Sequence, residues 1–221
     1  MKILFVHQGF PGQFKFLAPI LAADPANEVW ALCRQANLPD LWQGVRIACY
    51  TPMRSTSQEI HPWIRETETK IIRADAALQK ALEMRAAGFY PDVIIAHPGW
   101  GESLFLKDIW PRAKLGIYCE YFYHVDGADV GFDPEFRPTS EMLGLTESCQ
   151  VQLKNINNLL HMQVADAAIA PDDRGADDHG TVFDDGAFPD EDIDADVRGP
   201  VGTVVLGGMK VLGEVTLETL E

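Results

Sequence analysis

Lys2-Ile3-Leu4-Phe5-Val6-His7-Gln8-Gly9-Phe10-Pro11-Gly12 opens the chain with a short apolar run and a glycine turn. The run Ile3–His7 contains β-branched residues and suits a strand covered on both faces. Past the turn, Phe14, Leu17, Ala18, Leu21 and Ala22 fall three or four residues apart, the spacing of one helix face. Strand, glycine turn and helix, in that order, form the first unit of a doubly wound α/β domain. Such folds bind ligands at the open end of the unit, where helix N–H groups and a partial positive charge face outward.

Further along the chain the same alternation continues. Glu28–Cys33 reads as a second strand and Gly44–Cys49 as a short third one. A long helical segment is expected from about Pro62 to Ala87. Its apolar side holds Ile64, Ile71, Ile72, Ala76, Leu78, Leu82 and Met84, and Gly88 ends it with Pro91 just beyond. Asp92–Ala96 is the clearest buried strand, Ser103–Ile109 allows one or two helical turns, and Lys114–Cys119 is the next strand. After a Gly/Asp/Pro-rich loop over Asp126–Pro138, Thr139 and Ser140 can cap a helix reaching Ala165, and Ala167–Ala170 is a last short strand. The expected fold class is α/β, a Rossmann-like, mostly parallel sheet with helices on both faces and right-handed crossovers.

At Pro171 the composition changes. Residues 171–221 carry 14 Asp/Glu against 3 Lys/Arg, so most of the formal charge of −15 lies there. Of those 51 residues, 32 are Gly, Ala, Val, Asp or Glu, the amino acids whose codons begin with G. That bias fits translation in a shifted reading frame; a genuine acidic tail is the alternative. Asp172–Asp196 has too little apolar material to offset the entropy of ordering it, while Gly202–Leu206 and Met209–Val215 could pair as a hairpin across Gly207-Gly208. Two parts are therefore expected: an α/β domain over 1–170 and an acidic tail over 171–221, largely disordered or a short hairpin.

Composition also removes several function classes. Residues 1–170 hold 15 Lys/Arg and 19 Asp/Glu, without the basic excess that nucleic-acid binding requires. Four scattered cysteines include no C-x-x-C pair and read as free thiols of a reducing cytosol. Ile3–Val6 is too short for the core of a signal peptide, and no run approaches the roughly 18 apolar residues of a spanning helix. A cytoplasmic protein is expected, with an acceptor at the inner membrane surface left open.

Three loops leave the carboxyl ends of predicted strands, His7–Gly12, His97–Glu102 and Glu120–His124, and an open α/β sheet would line one crevice with them. Gly9-Phe10-Pro11-Gly12 does not match G-x-G-x-x-G and no acidic residue closes the second strand, which argues against a nicotinamide or flavin enzyme. The chain contains neither a G-x-x-x-x-G-K-[ST] loop nor a G-x-S-x-G elbow. These glycines serve either a ligand turn or plain close packing. His97-Pro98-Gly99-Trp100-Gly101-Glu102 holds an imidazole, an indole and a carboxylate on a short rigid loop. Trp100 offers a face for a sugar ring, and His97 and Glu102 can hydrogen-bond hydroxyls or move a proton. A core Trp100 and a helix-capping Glu102 are the plainer alternative. Glu120, between an apolar strand and Tyr121-Phe122-Tyr123, is placed either to carry protons or to accept from a backbone turn. His124 and Asp126 lack further ligands, so no metal site is expected, and His61 and His161 are expected to be structural.

Met1–Ala18, Asp92–Glu102, Leu115–Tyr123 and Gly127–Phe136, in this order, resemble the N-terminal, acceptor-side domain of a bacterial family 4 glycosyltransferase of the GT-B fold, over about residues 1–170. The resemblance implies a cleft enzyme that transfers a hexosyl group from a nucleotide-activated sugar to a saccharide or lipid-linked acceptor, with retention and without an essential metal. The nucleotide sugar would be a co-substrate and no cofactor would be needed. By the same resemblance Gly9, Phe10, Pro11 and Gly12 approach the donor diphosphate, and His97, Glu102 and Glu120 face the reacting sugar. Gly99, Trp100, Tyr121 and Tyr123 would contact substrate. The pattern departs after Ala170, where no donor-binding α/β domain follows. The chain is therefore expected to be inactive alone and to need a separately encoded C-terminal partner, with a non-catalytic saccharide-binding or assembly module as the alternative.

Overall fold

Lys2–Val6 forms β1 at the centre of the sheet, flanked by parallel β2 (Glu28–Cys33) on one side and parallel β5 (Val93–Ala96) on the other. A computed structural model describes residues 1–34, 38–120, 122–124, 140–169 and 203–204. Beyond β2 come parallel β4 (Val45–Cys49) and antiparallel β3 (Leu41–Trp42); beyond β5 come parallel β6 (Lys114–Tyr118) and β7 (Ala167–Ile169), then antiparallel β8 (Thr203–Val204). The order β3-β4-β2-β1-β5-β6-β7-β8 is that of a Rossmann-like sheet, as expected.

Alternation along β1 divides the core. Ile3 and Phe5 pack with Phe14, Ala18 and Leu21, which places α1 (Leu17–Ala23) on one face. Leu4 and Val6 pack with Ala77, Ala81 and Met84 of α2 (Arg65–Ala86) and with Leu106 and Ile109 of α3 (Leu106–Ile109) on the other. Each of these fully buried strand side chains stabilises the fold by about 1.5–3 kcal/mol. Gly88 ends α2 with φ of +89°, the conformation a glycine adopts without strain.

Several elements differ from the sequence expectation. The third strand is half of a hairpin: Leu41–Trp42 pairs with Val45–Arg46 across Gln43-Gly44, both at positive φ. The buried side of α2 holds Ile72 and Met84 as expected, with Ala76, Leu78 and Leu82 partly buried against the core, but its limits differ. Ile64, just before the helix, and Ile71 are more than a third exposed, whereas Lys70, Ala74, Ala77 and Ala81 are buried. The long last helix is two, α4 (Glu141–Lys154) and α5 (Ile156–Val164). At their junction the Asn155 amide accepts from the Tyr123 N–H at 2.9 Å and donates to the Tyr123 carbonyl at 2.8 Å, a tertiary pairing at the break. Ser140 caps α4 as expected, accepting from Leu143 N–H. Thr203 and Val204, within the expected hairpin, pair with Ile169 and Ala168. The rest of that hairpin, Ala170, the acidic stretch, the Asp126–Pro138 loop, the Gly127–Phe136 motif and Tyr121 lie outside the described residues.

Candidate functional site

The register that pairs Val6 with Ala96 sets His7 beside His97 as β1 and β5 end. Each is followed by one residue and then glycine, and the two turns use that pattern alike. Gly9 N–H donates to His7 Nδ1 at 3.0 Å, and Gly99 N–H donates to His97 Nδ1 at 3.1 Å. A ring nitrogen that accepts there leaves the imidazole proton on Nε2. From Nε2, His97 donates to Glu120 Oε2 at 2.9 Å, and the Gln13 amide donates to the same oxygen at 2.7 Å. The loops after β1, β5 and β6 therefore meet at one carboxylate.

Around His7 the first loop folds tightly. Phe10 is fully buried, edge-on to Trp42, and the Pro11 carbonyl accepts from Phe14 N–H at 2.8 Å. Gly12, at φ of +45°, passes so close that a Cβ there would lie 2.5 Å from His7 Cε1. Burial first, and the neighbouring His97 second, hold the His7 pKa below its ordinary value. Gly9 and Gly12 remain at the surface of the loop, with the Gly9 N–H already committed to His7.

The second loop is clamped from below. Gly101, at φ of +98°, approaches α2 so closely that a Cβ would lie 2.5 Å from the Lys70 carbonyl oxygen. Buried Lys70 reaches Asn157 Oδ1 at 2.8 Å, Glu66 at 3.1 Å and the Lys154 carbonyl at 3.3 Å, while Asn157 Nδ2 donates to the Pro98 carbonyl at 2.7 Å. His161 is structural, as expected. It is fully buried against Ser103 Oγ at 2.7 Å and pushed down to about 4 by that burial. The exposed His61 caps the turn Pro62–Ile64, its Nδ1 accepting from Trp63 N–H.

A cavity of about 260 Å³ opens beside these loops, lined by His97, Pro98, Gly99 and Trp100, by Glu120 and Tyr123, by Glu66, Thr69, Lys70 and Arg73 of α2, and by Lys154, Asn157 and Asn158. The structure thus brings His97, Gly99, Trp100, Glu120 and Tyr123 together. Glu102 stands apart. It is 1% exposed, behind the loop, and accepts from Tyr50 Oη at 2.5 Å while its other oxygen has no hydrogen-bond partner among the described residues. Burial raises the Glu102 pKa against the opposing Tyr50 hydrogen bond and the charges of Arg73 and Arg34. Phe10 is likewise core, and Pro11 holds the turn through its carbonyl.

His7, Gln13, Lys70, Arg73 and Asn157 were not among the expected site residues. For His7 a signal existed: His7-Gln8-Gly9 and His97-Pro98-Gly99 repeat one pattern at the ends of two strands. The helix residues carry no such mark, because only tertiary packing turns them toward the cavity. Among the described residues no three His, Cys, Asp or Glu side chains gather as a metal site would require, and no helix is long and apolar enough to cross a membrane.

A family model described as the glycosyl transferase family 4 group matches residues 25–183. Among solved structures, the chain is similar to a candidate UDP-N-acetylglucosamine 2-epimerase from Listeria monocytogenes, at 13% identity and a TM-score of 0.37, over 77% of this chain and 39% of that one. The chain thus aligns with about two-fifths of that protein's length. No curated protein matches it. With the family model covering well over half of its residues, the chain belongs to the glycosyl transferase family 4 group.

Proposed function

We propose that the domain is the acceptor-side wall of a sugar-transfer cleft, working in the cytoplasm on polysaccharide biosynthesis. In this reading a hexosyl group passes with retention from a nucleotide-activated sugar to a saccharide or lipid-linked acceptor. The observation that carries it is the junction of His97, Gln13 and Glu120, where three strand-end loops share one carboxylate at the mouth of a cavity. In the transfer the acceptor oxygen bonds to the anomeric carbon, the bond to the diphosphate oxygen breaks, and the acceptor proton leaves with the diphosphate. His97 and Glu120 would hold sugar hydroxyls, Trp100 and Tyr123 would pack against rings, and Gly9–Gly12 would face the donor diphosphate. No metal is required. The negative charge that develops on the departing diphosphate needs preorganised cations or N–H dipoles. An opposing donor-binding domain would supply them.

Calorimetry of the purified 221-residue chain tests this. Neutral oligosaccharides should bind and nucleotide sugars should not, and Glu120→Gln should weaken the oligosaccharide by about tenfold, as loss of a charge-assisted hydrogen bond predicts. Sugar transfer by this chain alone would contradict the need for an opposing domain. The second reading, a non-catalytic saccharide-binding module, rests on the cavity itself. It gains if no donor domain added in trans restores transfer.

A further inference from the structure

The cavity lining holds two chemically different groups of side chains. In one, His97 and Glu120 form the junction described above. The other is two cations on aromatic rings, the Arg73 guanidinium 5.6 Å from the Trp100 centroid and Lys154 Nζ 5.1 Å from that of Tyr123. Lys70, which also lines the cavity, is occupied by Glu66 and Asn157. Neither the Arg73 side chain nor the Lys154 ammonium has an ion pair or hydrogen bond among the described residues.

Half-buried cations that make no ion pair among the described residues cost desolvation that an arriving anion would offset. A guanidinium lying on an indole keeps its N–H fork free, and that fork matches a planar oxyanion with two parallel hydrogen bonds. The charge balance narrows the choice. Apart from the imidazole, the cavity is lined by three cations (Lys70, Arg73, Lys154) and two carboxylates (Glu66, Glu120). One negative charge neutralises it; a phosphate dianion would overshoot and meet the repulsion of Glu120.

Resting on the proposed acceptor role, we infer that this cavity takes a sugar carrying a carboxylate, of the uronic acid type. Arg73 and Lys154 hold the carboxylate, and the ring extends toward His97 and Glu120. Trp100 and Tyr123 line the same cavity, and about 260 Å³ gives it the scale of a single ring.

Saturation-transfer and amide NMR titrations of the full chain with glucuronate, glucose and glucose 6-phosphate test it. Glucuronate should bind about tenfold tighter than glucose, the gain expected from one charge-assisted pair, and the gain should shrink with added salt. Arg73→Gln should erase the preference, Arg73→Lys should retain part of it, and Lys154→Gln should reduce it, each with an amide spectrum showing the fold intact. Equal binding of glucose and glucuronate, tighter binding of glucose 6-phosphate, or a preference that survives both glutamine variants overturns the inference. Glucose binding without preference removes only the carboxylate and leaves the acceptor role standing. If none of the three sugars binds, the acceptor role falls and this inference with it.

Discussion

The turns at the ends of β1 and β5 begin alike and finish differently. In both, a histidine closes the strand and a glycine N–H two residues on fixes its ring. After that, Gly12 closes over His7, whereas the His97 ring faces a cavity and donates to Glu120. The backbone device sets the imidazole's orientation in each case. What the chain brings beside it decides whether the imidazole holds the loop or faces a cavity.

The comparison breaks most sharply at the glycines. Gly12→Ala forces a side chain into the left-handed region and into the His7 ring, so the fold should lose about 3 kcal/mol in urea unfolding. A loss under about 1 kcal/mol would mean that His7 moves aside freely and is not sealed. Gly99→Ala meets only the His97 ring, at 2.7 Å, and no left-handed backbone. It should cost about 1 kcal/mol, near the net value of one hydrogen bond, while displacing His97 from Glu120 and reducing saccharide binding. Unchanged binding by this variant would detach His97 from the site.

Two carboxylates extend the contrast. Glu120 takes donors from two loops, while Glu102 takes one from Tyr50 and is otherwise enclosed. Burial raises the Glu102 pKa above 4.5 in the folded chain. Between its unfolded and folded values the native state binds more protons than the unfolded one, so its contribution is full below 4.5 and lost as pH rises. Glu102→Gln removes that dependence. The stability of the variant relative to the parent should therefore rise from about pH 4 to about pH 7, measured by urea unfolding at each pH. A constant difference would show Glu102 to be solvated like a surface acid.

These outcomes turn on features of unequal legibility. Ile3–Val6 and Val93–Ala96 are apolar runs with glycine turns beyond them, and such local patterns place the parallel core and its open end directly. Leu41–Trp42 is too short to show a period, and its hairpin uses Gln43 at positive φ where glycine or asparagine would have announced it. The break at Asn155 needs Tyr123, 32 residues earlier, and the sealing of Glu102 needs Tyr50, 52 residues earlier. No window along the chain contains both partners. The same holds for Arg73 and Lys70, whose helix position reads as an ordinary solvated charge until the loop at Gly101 and the amide of Asn157 are set against it.

The smallest effect concerns His7 alone. Its pKa lies below 6.5, chiefly through burial and then through repulsion from His97. His97→Asn removes the second cause and keeps the first. In an NMR titration of the imidazole Cε1–H signals, His7 of the variant should titrate higher than in the parent and still below 6.5. A lowered histidine works on stability in the direction opposite to Glu102. Its contribution is complete above 6.5 and is lost as pH falls toward the folded value, because the unfolded chain takes up the proton first. If His7 titrated at 6.5 in the parent, or did not move when His97 was replaced, the two rings would not be coupled. The turn at β1 would then be a separate structural feature rather than the buried counterpart of the turn at β5.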